Sequence, residues 1–203
     1  MTENPNVTRR CLLAGGLLST VAASRAFATT DARPDLLVYA NGVAKWGQHT
    51  FRCALGRRGL TRQKREGDLA TPVGSWPLRR VLYRADRIAR PATLLQVQRI
   101  EPFDGWSDEP TDPQYNRLVK LPRPAHAEAM WRNDHLYDLV VPVGYNDDPV
   151  VPGAGSAIFI HIARENYGGT AGCVAFKLPD LLTILATATP TTRLVVSDAP
   201  SGR

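Results

Sequence analysis

The stretch Ala157-Ile158-Phe159-Ile160-His161-Ile162-Ala163, Arg164-Glu165-Asn166-Tyr167-Gly168-Gly169, Thr170-Ala171-Gly172-Cys173 carries the most specific information in this chain. Its first seven residues are apolar except for one histidine, the pattern of a buried strand. A polar turn containing Gly168-Gly169 follows, and a cysteine directly after a glycine closes the run. A thiol needs help to ionise near neutral pH, and a histidine can take its proton or hold it beside the thiolate. Glycine before the cysteine lets a carbonyl approach the main chain. The N–H groups of Gly172 and Cys173 would then face a developing oxyanion. This layout points to acyl transfer through Cys173 with His161 as base. On these residues alone, a core histidine and a structural cysteine fit equally well.

Outward from this stretch the chain reads as short strands separated by turns. Leu36–Tyr39 precedes Asn41-Gly42, a hairpin signal, and Lys45–Leu55 reads as the return strand or strands. Ser75–Tyr83, Leu94–Ile100, Leu136–Val143, Ala157–Ala163 and Arg193–Ser197 read as further strands. Glu101–Arg123 is polar and proline-bearing, too long for a simple turn, so it is read as a functional or surface-packed loop. Leu178–Ala186 is the best helix, with Pro179 suited to the first turn and Asp180 to the helix N-terminus. The expected fold is mainly β, a β-rich α+β domain with one helix after the cysteine loop.

The N-terminal segment is expected to be a leader. Arg9-Arg10 precede a small-and-apolar run from Leu12 to Ala23, and Ala26-Phe27-Ala28 fits a small-x-small cleavage site. We therefore expect a signal peptide over 1–28, of the twin-arginine type, and one catalytic domain over 29–203. Export machinery would be its first partner and the periplasm its destination. A formal net charge of +6 over 203 residues is mild. It suits attraction to an anionic surface, and no nucleic-acid module is visible. Cys11 would leave with the leader. Cys53 and Cys173 remain, and a disulfide between them would silence Cys173. Cys53 lies in a strand-like run, which favours a buried core thiol.

Thr170-Ala171-Gly172-Cys173 resembles the [ST]-x-G-C motif of the YkuD-type L,D-transpeptidases, with His161 similar to that family's base. Far upstream, Glu66-Gly67-Asp68-Leu69-Ala70-Thr71-Pro72-Val73-Gly74 resembles the family's E-G-D-x-x-T-P-x-G motif. Two separated motifs in the right order are more specific than either alone, and the resemblance runs from about Leu36 to Ser197. It implies a YkuD-like fold acting on peptidoglycan stem peptides. Cys173 would attack a stem-peptide carbonyl, D-alanine would leave, and a diaminopimelate side-chain amine would take the acyl group from the thioester. His161 would move the proton, the Gly172 N–H would serve the oxyanion, and the Ile162 carbonyl would orient the histidine. No metal or organic cofactor is implied. Ala175 stands where many members carry arginine or asparagine, and the His161–Cys173 loop is short, so 3,3 and 1,3 cross-links both stay open. Hydrolysis by an L,D-carboxypeptidase or endopeptidase of the same fold is the alternative within enzymes. A non-catalytic wall-binding protein is the alternative outside them.

Tyr145, Asn146, Thr170 and Ala171 are further candidates for substrate contact, and the chain is expected to act as a monomer. Turn chemistry would explain Asn146 and Asp138 equally well. Arg57, Arg58, Arg62, Lys64 and Arg65 form a basic loop that reads more readily as solvated than as a carboxylate site. His126 and His135 lie near Glu128 and Asp134 but lack a metal-ligand spacing.

Overall fold

The computed structural model describes residues 35–199, so the leader expected over 1–28 lies outside the described residues. In chain order the elements are β1 (Leu36–Tyr39), β2 (Val43–Trp46), β3 (His49–Arg52), β4 (Leu60–Thr61), β5 (Thr71–Pro72), β6 (Gly74–Pro77), β7 (Val81–Tyr83) and β8 (Val97–Arg99). There follow β9 (Asp104–Ser107), β10 (Leu118–Lys120), β11 (Ala127–Ala129), β12 (Leu139–Pro142), β13 (Phe159–Ile162), β14 (Val174–Phe176), α1 (Leu178–Thr187) and β15 (Arg193–Ser197). Among the described residues the protein is mainly β with one helix after the cysteine loop, as its sequence pattern indicates.

Two five-stranded sheets form the body, ordered β3-β2-β1-β15-β6 and β14-β13-β12-β7-β8. Asn41-Gly42 turns β1 into β2. Gly42 adopts φ +74°, and a Cβ there would lie 2.9 Å from the Cys53 carbonyl oxygen, so glycine is required twice over. The last strand, β15, inserts parallel to β1 with Leu36 opposite Leu194, which ties both ends of the described chain into one sheet.

The second sheet is buried on both faces, which explains its nearly unbroken apolar strands. One face presents Val141, Ile160, Ile162, Val174 and Phe176 to the main core, where Leu181, Ile184 and Leu185 of α1 cover them. Pro179 stands in the first turn of α1 and Asp180 lies beside it, as expected. The other face presents Leu82, Val140, Phe159 and Cys173 to a smaller cluster with Trp106, Met130 and Tyr137.

Two expectations are corrected. Ser75–Tyr83 is two strands: β6 pairs with β15, the chain crosses over at Leu78-Arg79-Arg80, and β7 pairs with β12. The segment Glu101–Arg123 is a hairpin, and with β11 it forms a third sheet, β10-β9-β11. All four residues of β9 are buried, so alternation gives no strand signal there. What holds it is tertiary. Trp106 packs edge-on against Phe159 at 4.9 Å and donates its indole N–H to Asn116 Oδ1 at 2.9 Å.

Candidate active site

β13 and β14 run parallel, with Ile160 opposite Val174 and His161 opposite Ala175. Side chains alternate across a strand, so Cys173 shares a sheet face with Phe159, His161 and Ala175. The register of the two strands, with alternation along each, thus brings thiol and imidazole to one side. Both line a polar cavity of about 220 Å³ together with Arg57, Lys64, Glu128, Tyr137 and Ala171. Each is almost buried, Cys173 6% exposed and His161 5%.

The local environment sets their protonation. Burial pushes the Cys173 thiol up to about 12, against the small help of the Phe159 N–H, which donates to Sγ at 3.4 Å. The thiol in turn donates to the Ala157 carbonyl at 3.2 Å. Burial pushes His161 down to about 4, only partly offset by its bond to the Ile162 carbonyl. A neutral thiol and a neutral imidazole therefore face the cavity at pH 7, rather than an ion pair. The Ile162 carbonyl can only accept, so the bond at 2.9 Å fixes the ring proton on Nδ1 and leaves the lone pair on Nε2. The ring is braced by the edge of Tyr137, with centroids 5.4 Å apart.

The two separated sequence motifs meet at the main chain of Cys173. Thr170 Oγ1 donates to the Cys173 carbonyl at 2.7 Å and accepts the Gly172 N–H at 3.1 Å. Thr71 Oγ1, fully buried, reaches the same carbonyl at 3.4 Å and accepts the Gly56 N–H at 2.9 Å. Gly172 has φ +138°, and a Cβ there would fall 2.9 Å from the Ala70 carbonyl oxygen. No other residue fits this turn without shifting its neighbours. The Gly172 N–H expected to serve an oxyanion is thus already engaged by Thr170. Thr170 lines the cavity, but its hydroxyl is committed to shaping the loop. Thr170→Val, nearly isosteric, would orphan a buried N–H and weaken the hold on the carbonyl. We expect it to lower stability by about 2 kcal/mol, read as a lower urea midpoint at unchanged m-value.

The Glu66-Gly67-Asp68 motif holds the opposite wall. Glu66 accepts from Tyr115 and, at 2.7 Å, from Ser156 Oγ, pinning the 153–156 loop. Asp68 accepts the N–H groups of Arg65 at 2.9 Å and Ala70 at 3.0 Å, and pairs with Lys64. Desolvation pulls the Asp68 carboxyl upward, but these donors outweigh it and hold it below its ordinary value. Lys64 is the main correction to the basic loop. Its side chain is only 4% exposed, and its Nζ lies 3.4 Å from the position a Cβ would take on Gly172. A buried ammonium thus stands beside the cysteine turn. Arg57 also lines the cavity, whereas Arg62 pairs at the surface with Asp198 at 2.9 Å.

Tyr145 and Asn146, expected as substrate contacts, are placed in the neighbouring loop. Neither lines the cavity. The Tyr145 hydroxyl donates to the Ala154 carbonyl at 2.7 Å, and the ring meets Trp76 edge-on. Asn146, at φ +48°, bridges Val151 and Gly155. Both are loop residues. Asp138 is buried between Arg87 and His135 and takes the structural role. Cys53 and Cys173 are both free, and Cys53 is embedded in the main core, where burial pushes its thiol up to about 12. Among the described residues, no three His, Cys, Asp or Glu side chains converge as a metal site.

Sequence reading passed over Tyr137 and saw Glu128 only as a neighbour of His126. Tyr137 belongs to an apolar run and reads as core. Glu128 sits between alanines on β11 and donates no motif. Its Oε1 accepts the Tyr137 hydroxyl at 2.8 Å, and Arg132 Nη1 lies 3.5 Å away.

The model of the L,D-transpeptidase catalytic domain, YkuD, matches residues 27–196, and the chain belongs to that family. A comparison with curated proteins gave no match. Among solved structures, the helical cell shape determining protein Pgp2 from Campylobacter jejuni is similar, with 12% identity and a TM-score of 0.41. The similarity covers 82% of this chain and 48% of that one, so the chain spans about half the length of that protein.

Proposed function

We propose that this protein is an exported cysteine L,D-transpeptidase that joins peptidoglycan stem peptides in the periplasm, with Cys173 as nucleophile and His161 as proton carrier. One observation carries the reading. The thiol and an imidazole with its lone pair on Nε2 share one face of two paired strands and line one polar cavity.

The chemistry follows from the protonation states. As Sγ attacks the carbonyl of the donor stem, Nε2 of His161 takes the thiol proton, so no free thiolate accumulates. The Cys173 N–H is the main-chain donor for the oxyanion, because the Gly172 N–H is occupied, and the Lys64 ammonium adds positive potential beside the turn. The carbon–nitrogen bond breaks, the leaving D-alanine amine takes the proton from His161, and a thioester remains on Cys173. A neutral amine of a second stem then attacks, His161 takes one of its protons, and the carbon–sulfur bond breaks. The departing sulfur recovers that proton. Thiol and imidazole are both neutral again.

The test is incubation of residues 29–203 with defined disaccharide-tetrapeptide and disaccharide-tripeptide muropeptides, followed by mass analysis. Cross-linked dimers support the reading. Trimmed monomers alone would assign the protein to hydrolysis, and no conversion would remove the enzymatic reading. Fragmentation of the dimers separates 3,3 from 1,3 links.

A further inference from the structure

Transfer to an amine poses a problem that transfer to water does not. The amine of a second stem arrives from solution as an ammonium, with no lone pair to attack with. The cavity that holds Cys173 is also lined by three carboxylates that the steps above leave unused: Glu66 is taken up by Tyr115 and Ser156, Asp108 by His126, and the third is Glu128. Glu128 stands on β11, in a sheet separate from the one that carries Cys173 and His161. One oxygen, Oε1, accepts the Tyr137 hydroxyl at 2.8 Å, and Tyr137 is the ring that braces His161. Arg132, the nearest cation, is drawn off by Asp134, to which its Nη2 donates at 2.7 Å and its Nε at 2.8 Å, while its approach to Glu128 is only 3.5 Å. Glu128 is thus oriented toward the reaction cavity and only loosely neutralised.

We propose that Glu128 is the acceptor-side recognition residue, which receives the ammonium of the incoming stem as a charge-assisted hydrogen bond beside the thioester. This rests on the acyl-transfer reading of Cys173 and His161. The ammonium gives up one proton, through the Glu128 carboxyl, to water, and the freed amine attacks the thioester as described above. Desolvation and the neighbouring Asp108 already hold the Glu128 carboxyl above its ordinary range. That narrows its gap to an ammonium and makes a cation welcome there. The same carboxylate helps keep the Cys173 thiol protonated.

Glu128→Gln keeps the shape and the acceptor for Tyr137 but removes the charge. With the tetrapeptide muropeptide as donor and the tripeptide muropeptide as acceptor, two changes are expected in this variant. The ratio of cross-linked to trimmed product falls about tenfold, and the acceptor concentration for half-maximal cross-linking rises by a similar factor, since a lost charge-assisted bond is worth at least that much. The plateau of thioester formation is kept while its alkaline limb moves to lower pH, because the carboxylate no longer holds the Cys173 thiol up, a change that a purely structural role for Glu128 would not produce. An unchanged product ratio with unchanged acceptor dependence overturns the assignment while leaving the acyl-transfer reading intact. A wild-type protein that forms the thioester but only trims also overturns it. A wild-type protein that forms no thioester removes both.

Discussion

Cys173→Ala is expected to abolish both cross-linked and trimmed products, a fall on the order of 10⁵-fold or more in turnover, as when the nucleophile of a covalent mechanism is removed. The cause is specific. The other amine and hydroxyl groups of the cavity are committed elsewhere: Lys64 pairs with Asp68, Ser156 donates to Glu66, Thr170 to the Cys173 carbonyl and Tyr137 to Glu128. The fold should survive. Cys173 sits against Phe159, Trp106 and Tyr137 in the smaller cluster, where alanine removes one sulfur atom and its weak bonds to Ala157 and Phe159. The loss of stability should stay near 1–2 kcal/mol, readable as a modest drop in melting temperature. A Cys173→Ala protein that still forms either product would contradict the mechanism.

His161→Gln is expected to cost roughly 10³–10⁴-fold at pH 7, the worth of a positioned proton carrier, and to change the shape of the pH profile. With the thiol pushed up to about 12, only about 10⁻⁵ of the protein carries a thiolate at pH 7. Without a base, thioester formation must draw on that fraction, so its rate should climb about tenfold per pH unit from 7 to 10. The wild type behaves differently. Its reactive form, neutral thiol with neutral imidazole, persists from about 4 to about 12, bounded by the two shifted groups. Its rate of thioester formation should be nearly flat between pH 6 and 9. A wild-type profile with a limb near 6.5 would show a solvated histidine in place of the buried one.

The same histidine links stability to pH. Its folded value of about 4 lies below the ordinary 6.5 because the charged form is desolvated. Between those values the unfolded chain binds more protons than the folded one. Protonation therefore favours unfolding, and stability is lost as pH falls from 6.5 toward 4, by up to about 3 kcal/mol from this group. Above 6.5 the contribution is constant. Urea midpoints between pH 4 and 8 would show the slope in the wild type and lose much of it in His161→Gln.

The strand carrying His161, the turn at Asn41-Gly42 and the helix at Pro179-Asp180 were legible because each rests on a local rule. An apolar run, a turn dipeptide and a helix-start signal need no knowledge of distant contacts. The nearness of Cys173 to His161 was expected from a turn at Gly168-Gly169; the chain achieves it by an eleven-residue crossover, 163–173, between parallel strands. What escaped is non-local. The central strand of the third sheet, Asp104-Gly105-Trp106-Ser107, has only Trp106 as a strand-favouring residue, and it forms because Trp106 finds Phe159 and Asn116. Lys64 looked solvated among other basic residues, yet Asp68, four positions on, folds it inward. Tyr145 and Asn146 resembled cleft residues by their place before the histidine strand. Their polar groups instead go to the main chain at Ala154, Val151 and Gly155. Thr170 shows the limit of a motif read as a string. It was expected against the substrate; it lines the cavity, and its hydroxyl shapes the turn of Cys173.

The most direct test of the central claim is intact-protein mass spectrometry after brief mixing with a tetrapeptide-stem muropeptide, quenched in acid and followed by peptide mapping. The account predicts an adduct equal to the donor less its terminal D-alanine, on the peptide containing Cys173, absent in Cys173→Ala and released by an added amine. Turnover with no adduct, or an adduct mapped to Cys53 or another residue, would contradict it.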